Sequence, residues 1–243
     1  MKNLKVFTRQ PAYLPGLVFF DQLLQVDKYI IYDNVQYERR HWGNRNKIRT
    51  YQGEQWLTVP VIQKNKRSQT YAETLIDNNT HWAKDHWKAI YLNYAKAPFF
   101  KDYAPFFEDL YSQPFAHLLD LDLKIIEFIK QQLDIKTPLI LASSLKTKKN
   151  DENKTDRLAQ MVKELGGNMY ITSKGTKNYI DAKCMESYGI ELLWHEFSHP
   201  IYQQFHGEFI PYMSAIDLLF NYGGRSIDII RENTKDPLKF DQY

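Results

Sequence analysis

The residues best equipped for chemistry crowd into the first fifty positions. Gln10 and Tyr13 sit in one turn, Asp33, Asn34 and Gln36 in a second, and Arg39, Asn44 and Arg45 in a basic, amide-rich stretch after it. Amides and phenols hold hydroxyl-rich ligands by directed hydrogen bonds, and an arginine fork takes a phosphate or carboxylate two bonds at a time. A carboxylate at a strand end can bind hydroxyls or accept a proton. The set suits a small molecule that carries phosphate or sugar.

The elements that must position these groups are legible around them. Leu4 to Gln10 reads as a strand, Gln10 to Gly16 as a rigid turn, Leu17 to Val26 as a helix, and Tyr29 to Tyr32 as a second strand. This is the order of a βαβ unit, and such units bind ligands outside their strand ends. Pro11 and Pro15 fix φ and restrict the residues before them. A stiff connector would explain the prolines but not Gln10, whose amide would emerge at the end of the strand. Asp33 reads either as a turn-forming aspartate or, with Asn34 and Gln36 beside it, as a site carboxylate and general base. Arg39, Arg40, Arg45 and Lys47 are either a solvated loop or an anion site. Arg45 is the first candidate for the anion and Arg39 the second, because guanidinium geometry matches phosphate and carboxylate.

Two later segments carry further candidates. Ser173-Lys174-Gly175-Thr176-Lys177 follows a strand and is expected to open a helix, so Lys174 is placed at a phosphate site, against the plainer reading of a tight turn. His195-Glu196-Phe197-Ser198-His199 matches the HExxH zinc pattern in letters only. That pattern needs a helix, whereas Ile190 to Trp194 is strand-like and Pro200 follows at once, so no metal is expected. His199 remains a candidate general acid or base, with a hydrogen-bonded structural histidine as the alternative. Cys184, the sole cysteine, lies in an expected helix, Ile180 to Tyr188, as a small apolar residue.

The 243 residues are enough for a sizeable core, and 43% hydrophobic with 25% charged residues is ordinary for a globular chain. A net charge of +3 is too small to argue for nucleic acid. No apolar run approaches the ~20 residues of a membrane span, and the first residues lack a secretion signal. With one cysteine, these features lead to the expectation of a cytoplasmic protein. Strand candidates follow at Gln55 to Val61 and Ala72 to Ile76, with a polar loop, 63–69, between them. Residues 80 to 134 read as helical throughout. After them come strands at Leu139 to Ala142, Met169 to Thr172 and Ile190 to Trp194, and helices at Thr155 to Leu165 and Ser214 to Tyr222. The expected fold is α/β, a mostly parallel sheet with helices on both faces. The helical part, about 80–134, would be an insertion or cap within one domain spanning 1–243.

Several of these motifs resemble the WbqC-like family: Gln10-Pro11-x-Tyr13-Leu14-Pro15, Phe20-Asp21, Asp33-x-Val35-Gln36-Tyr37 and Asn44-Arg45-Asn46-Lys47-Ile48. The likeness continues through Leu165-Gly166, Tyr170 and Tyr179-Ile180 to His199-Pro200-x-Tyr202-x-Gln204 and Ser214-x-x-Asp217-Leu218-Leu219-Phe220-Asn221. It implies a role in bacterial surface-polysaccharide or natural-product assembly. A fainter analogy runs to HIGH-type nucleotidylyltransferases. Those need two histidines in the first loop, and none lies between Lys5 and Tyr32. The expectation is therefore a transferase that modifies a nucleotide-linked or activated sugar, or a related amine or alcohol, by direct transfer. Its catalytic candidates are His199 and Asp33, and its substrate-binding candidates Gln10, Tyr13, Gln36, Arg39, Asn44, Arg45 and Lys174. A non-catalytic ligand-binding module of the same pathway is the alternative. The sequence leaves the cofactor and the oligomeric state open.

Overall fold

A computed structural model describes residues 3–39, 41–63, 68–147, 153–177 and 179–240. Arg40 and most of the polar loop expected at 63–69 lie outside the described residues. The chain runs β1 (Lys5–Arg9), α1 (Leu17–Leu24), β2 (Lys28–Ile31), β3 (Arg45–Thr50), β4 (Gly53–Thr58), α2 (Trp82–Tyr94), α3 (Phe100–Ser112) and α4 (Leu118–Gln132). It continues with β5 (Leu139–Leu141), α5 (Lys154–Glu164), β6 (Met169–Thr172), α6 (Ala182–Ser187), β7 (Glu191–Trp194), α7 (Ala215–Tyr222), α8 (Ser226–Asn233) and β8 (Leu238–Lys239).

Six strands form one sheet in the order β5-β2-β1-β6-β7-β8. All neighbours are parallel except β8, which closes the edge antiparallel to β7. The expected α/β fold is thus present, with β1 and β2 adjacent and parallel. Alternation along the strands sends side chains to two cores. Phe7, Tyr29, Ile31, Ile171 and Leu193 face one core, shared with α1, α8 and the helices α2 to α4. Val6, Ile30, Tyr170, Leu192 and Trp194 face the other, covered by α5 and α6. Strands buried on both faces read as continuous apolar runs, which is why Tyr29-Ile30-Ile31 was recognisable.

The order of the strands locates the binding edge. From β1 the chain moves one way, to β2 and then β5. It returns across β1 to place β6 and β7 on the other side. The direction reverses between β1 and β6, and ligands of such sheets bind outside the strand ends at that reversal.

Three expectations are corrected. Arg45 to Lys47 is not loop: β3 pairs antiparallel with β4 in a separate hairpin, Arg45 opposite Thr58 and Thr50 opposite Gly53. Alternating polar residues hid it, because both strands are largely solvated on one side. Ala72 to Ile76 is a run of turns with isolated bridges rather than a strand. The segment after β6 makes only a 3-10 turn, Lys174–Thr176, and α6 starts at Ala182, where the Asp181 side chain caps the amides of Lys183 and Cys184. Lys174 therefore stands at no α-helix N-terminus.

Candidate functional site

Arg9 is the last residue of β1, so its side chain is delivered to the binding edge. The turn after it is held hard. Leu14 is fully buried with φ +44°, a left-handed conformation that L side chains avoid. Its carbonyl accepts from Asn46 Nδ2 at 2.6 Å. Pro15 O accepts from Ala215 N–H, and Lys47 O from Ser214 N–H, both at 2.9 Å. The turn, the hairpin and the start of α7 are thereby zipped together.

Between them opens a cavity of about 170 Å³. Ala12, Pro15, Leu17, Val18 and Phe19 from the turn and α1 line it together with Phe197 and Met213. Trp42 and Tyr212, both exposed, stand among its lining with Asn46 and His199. Arg9 is the one arginine or lysine in the lining. Among the described residues no carboxylate pairs with it.

Behind Arg9 runs a directed chain of hydrogen bonds. Arg9 Nη1 donates to Gln22 Oε1 at 2.9 Å, as does the Tyr29 hydroxyl at 3.1 Å. With its oxygen so used, Gln22 offers Nε2–H to His195 Nδ1 at 3.4 Å, and His195 Nε2–H then donates to Asp21 Oδ2 at 2.6 Å. Thr234 Oγ1 and Gln25 Nε2 complete the carboxylate. Each donor has an acceptor only in this direction, so the network fixes both the Gln22 amide and the Arg9 guanidinium.

His199 is engaged on both sides. Nδ1–H donates to Pro200 O at 2.8 Å, and Nε2 accepts Tyr212 N–H at 3.1 Å. Burial pushes its pKa down, since an imidazolium would lose water here. Asp33 is buried at the end of β2, and both its oxygens are taken: Ser143 N–H donates to one at 2.9 Å and Ser143 Oγ to the other at 2.6 Å. In this state it ties the end of β5 to the end of β2.

The remaining candidates disperse. Tyr13 is fully buried and points into the helical layer, between His86 Nδ1 at 2.7 Å and Tyr111 OH at 2.5 Å. Gln10 Oε1 accepts from Tyr71 OH at 3.4 Å. Asn44 Nδ2 donates to Val59 O at 2.7 Å. Gln36 bridges to Thr70 and is exposed. Arg39 is exposed, close enough to Tyr37 to oppose the rise in that phenol's pKa. Arg45 is half-buried on β3 and stacks over Trp56, its Cζ 4.5 Å from the ring centre. Lys174 lies in the 3-10 turn after β6, and its side chain is outside the described part. Of the candidates read from sequence, the cavity contains His199.

Sequence reasoning missed Arg9, Gln22 and the Asp21–His195 pair. Arg9 precedes Gln10 directly, and the strand-end argument applied to Gln10 reaches Arg9 equally. Asp21 and Gln22 looked like ordinary polar residues of an amphipathic helix, and only the fold brings His195 from 174 positions away.

The motifs near the C-terminus serve the frame. Asp217 is buried and accepts from Tyr94 OH and Tyr202 OH at 2.8 Å and from Gln204 Nε2 at 3.0 Å. These bonds lash the segment after His199 to α7 and α2.

Comparison with known proteins agrees with the motifs. Residues 10–229 match the WbqC-like protein family. The chain is 37% identical over 229 residues to the uncharacterized protein Rv1507c of Mycobacterium tuberculosis, covering 93% of this chain and 97% of that protein. No solved structure matches.

Proposed function

The chain belongs to the WbqC-like protein family, and from that premise we propose that it is a transferase acting on a nucleotide-linked or otherwise activated sugar, or a related amine or alcohol, in bacterial surface-glycan assembly. The observation that carries the reading is Arg9: a guanidinium without a carboxylate partner among the described residues, fixed by Gln22, lining a cavity at the carboxyl edge of a parallel sheet. Such an arginine suits a phosphate or carboxylate, and such an edge is where α/β sheets bind ligands. Catalysis would rest on holding donor and acceptor in line. Gln10, Gln36, Arg39, Asn44, Arg45 and Lys174 enter this reading as outer contacts to the sugar and phosphates, and Tyr13 as support for the turn. His199 is freed as a general base only when ligand displaces the Tyr212 amide, whereas Asp33 keeps a lone pair on each oxygen but is buried. His199, which lines the cavity, is the one we retain. The reading includes a single domain and a cytoplasmic location. Among the described residues no helix is long and apolar enough to cross a membrane.

A second reading, a ligand-binding module without chemistry, is favoured by one observation: both nitrogens of His199 and both oxygens of Asp33 are already engaged. Calorimetry with a panel of nucleotide sugars, followed by mass spectrometry of the products with candidate donors, separates the two. Binding with turnover supports the transferase. Tight binding without turnover across the panel moves the assignment to the module, and no binding removes both.

A further inference from the structure

The cavity beside Arg9 is built for something less polar than a sugar. A pyranose carries a hydroxyl on most of its carbons, and each needs a partner once it leaves water. The side chains here offer few. Asn46 spends Nδ2–H on Leu14 O at 2.6 Å, and its Oδ1 accepts Lys47 N–H at 2.8 Å. His199 spends both ring nitrogens. Arg9 gives one N–H to Gln22 at 2.9 Å and, with five N–H donors on a guanidinium, keeps others to offer. Trp42 and Tyr212, both exposed, add an indole N–H and a hydroxyl, and the other side chains of the lining are aliphatic or aromatic. We propose that this cavity binds the short apolar chain of an acyl group. The chain would lie against Val18, Phe19, Phe197 and Met213, with its carboxylate or carbonyl oxygen at Arg9.

Size and shape agree. At about 30 Å³ per water-sized group, 170 Å³ holds about six heavy atoms, the carbons of a hexanoyl chain with its oxygen at Arg9. Leu14 at φ +44° shapes the turn that supplies Ala12 and Pro15, and Tyr212 at φ +63° is held there by His199. Non-glycine residues in this conformation cluster at ligand sites.

The inference rests on the proposed function in one respect: the acyl group would be what the transferase moves onto the sugar. In that step the bond from the acyl carbon to a thiol or phosphate leaving group breaks. A bond from the same carbon to the acceptor's nitrogen or oxygen forms, and the acceptor's proton goes to the leaving group. The polar edge around Gln10 and Asn34 is left for the sugar.

The test is calorimetry on the full chain with sodium butanoate, hexanoate, octanoate and decanoate, and with glucose and UDP-glucose. Each methylene that enters the cavity should tighten binding about fourfold. Hexanoate should therefore bind about tenfold or more tighter than butanoate, with no further gain for decanoate. Arg9→Gln should weaken hexanoate at least about tenfold, the lower range for a charge-assisted hydrogen bond. Val18→Phe should abolish hexanoate binding while its far-ultraviolet circular dichroism stays that of the parent. Val18→Ala should extend the gain to octanoate, a result that misfolding cannot imitate. Affinity independent of chain length, or glucose competing with hexanoate, overturns the inference. UDP-glucose binding without hexanoate binding overturns it and leaves the proposed function standing. Chain-length-dependent binding with no nucleotide sugar bound or turned over supports the cavity assignment and removes the sugar transferase.

Discussion

Tyr212 donates its backbone N–H to Nε2 of His199 at 3.1 Å, and does so from a left-handed conformation at φ +63°. The bond uses the lone pair a general base would need. It also holds an exposed aromatic residue beside the cavity in a backbone state that costs on the order of 1–3 kcal/mol for a non-glycine residue. Nδ1–H, bonded to Pro200 O, fixes the tautomer that makes this possible. In this state His199 acts as a positioning residue for Tyr212.

The pH dependence of that contact follows from its sign. Burial depresses the His199 pKa in the folded state, so its contribution is complete above the unfolded value of ~6.5 and is lost as pH falls through the folded value. The protection factor of the Tyr212 amide should fall as pH drops below ~6.5 and through the depressed folded value, and His199→Ala should abolish that pH dependence. Should His199→Ala slow turnover ~100-fold or more, the low end for a lost base, while Tyr212 keeps its protection, His199 is a base and the positioning role falls.

His86 gives a sharper acid signature. Tyr13 OH donates to its Nδ1 at 2.7 Å, and burial lowers its pKa to about 4. Tyr111, 2.5 Å away, then donates to the Tyr13 oxygen. Folding keeps the ring neutral, so stability is complete above ~6.5 and lost as pH falls from there toward 4. The loss should reach about 3 kcal/mol by pH 4, at ~1.4 kcal/mol per pKa unit. Urea unfolding from pH 7 to pH 4 should show it in the parent and lose most of it in His86→Gln. An unchanged slope would mean that His86 is already protonated in the fold.

Asp122 carries the opposite dependence. It is wholly buried in α4, neither carboxyl oxygen has a hydrogen-bond partner among the described residues, and burial raises its pKa. Folding binds a proton, so stability is complete below the unfolded value near ~3.9 and falls as pH rises through the folded value. Asp122→Asn and Asp122→Leu should raise the melting temperature at pH 8, and the gain should shrink as pH approaches 4. A loss of stability at pH 8 in both variants would mean that the carboxylate has a partner worth more than its desolvation.

Much of the fold was legible because its strands are apolar on both faces and its helices periodic. Met169–Thr172 matches the expected strand residue for residue, and β1, β2, β5 and β7 differ from expectation by one or two positions. Of the β3–β4 hairpin, the expected strand at Gln55 to Val61 overlaps β4, but β3 was illegible because Arg45, Lys47 and Arg49 put charge where a strand signal needs apolar alternation. The site was legible as an edge and not as a constellation. Strand ends pointed to Gln10 and Asp33, but which side chain stays available depends on distant partners. Ser143, 110 positions on, consumes Asp33, and Tyr212 consumes the Nε2 of His199. Arg9 is held by Gln22, which folding joins to His195 from the far end of the chain. No spacing rule carries that information.

The two arginines offer the most direct test of where the anion sits. Arg45, favoured from sequence, is half-buried on β3 with its guanidinium over Trp56 at 4.5 Å. Arg9 lies in the cavity lining and is oriented by Gln22 at 2.9 Å. Arg45→Ala should cost about 0.5–1 kcal/mol of stability, the range for an exposed cation–π contact. It should shift tryptophan fluorescence and change UDP-glucose affinity less than about threefold, within ~0.7 kcal/mol. Arg9→Ala should weaken UDP-glucose by about 1.5–3 kcal/mol, the range for a hydrogen bond to a charged group. Arg9→Lys should recover only part of that, because an ammonium cannot bond Gln22 and grip an anion with a planar fork at once. Titration calorimetry on the three variants reads all of this. If Arg45→Ala abolishes binding while Arg9→Ala leaves it intact, the anion belongs to the hairpin and the cavity holds no part of it.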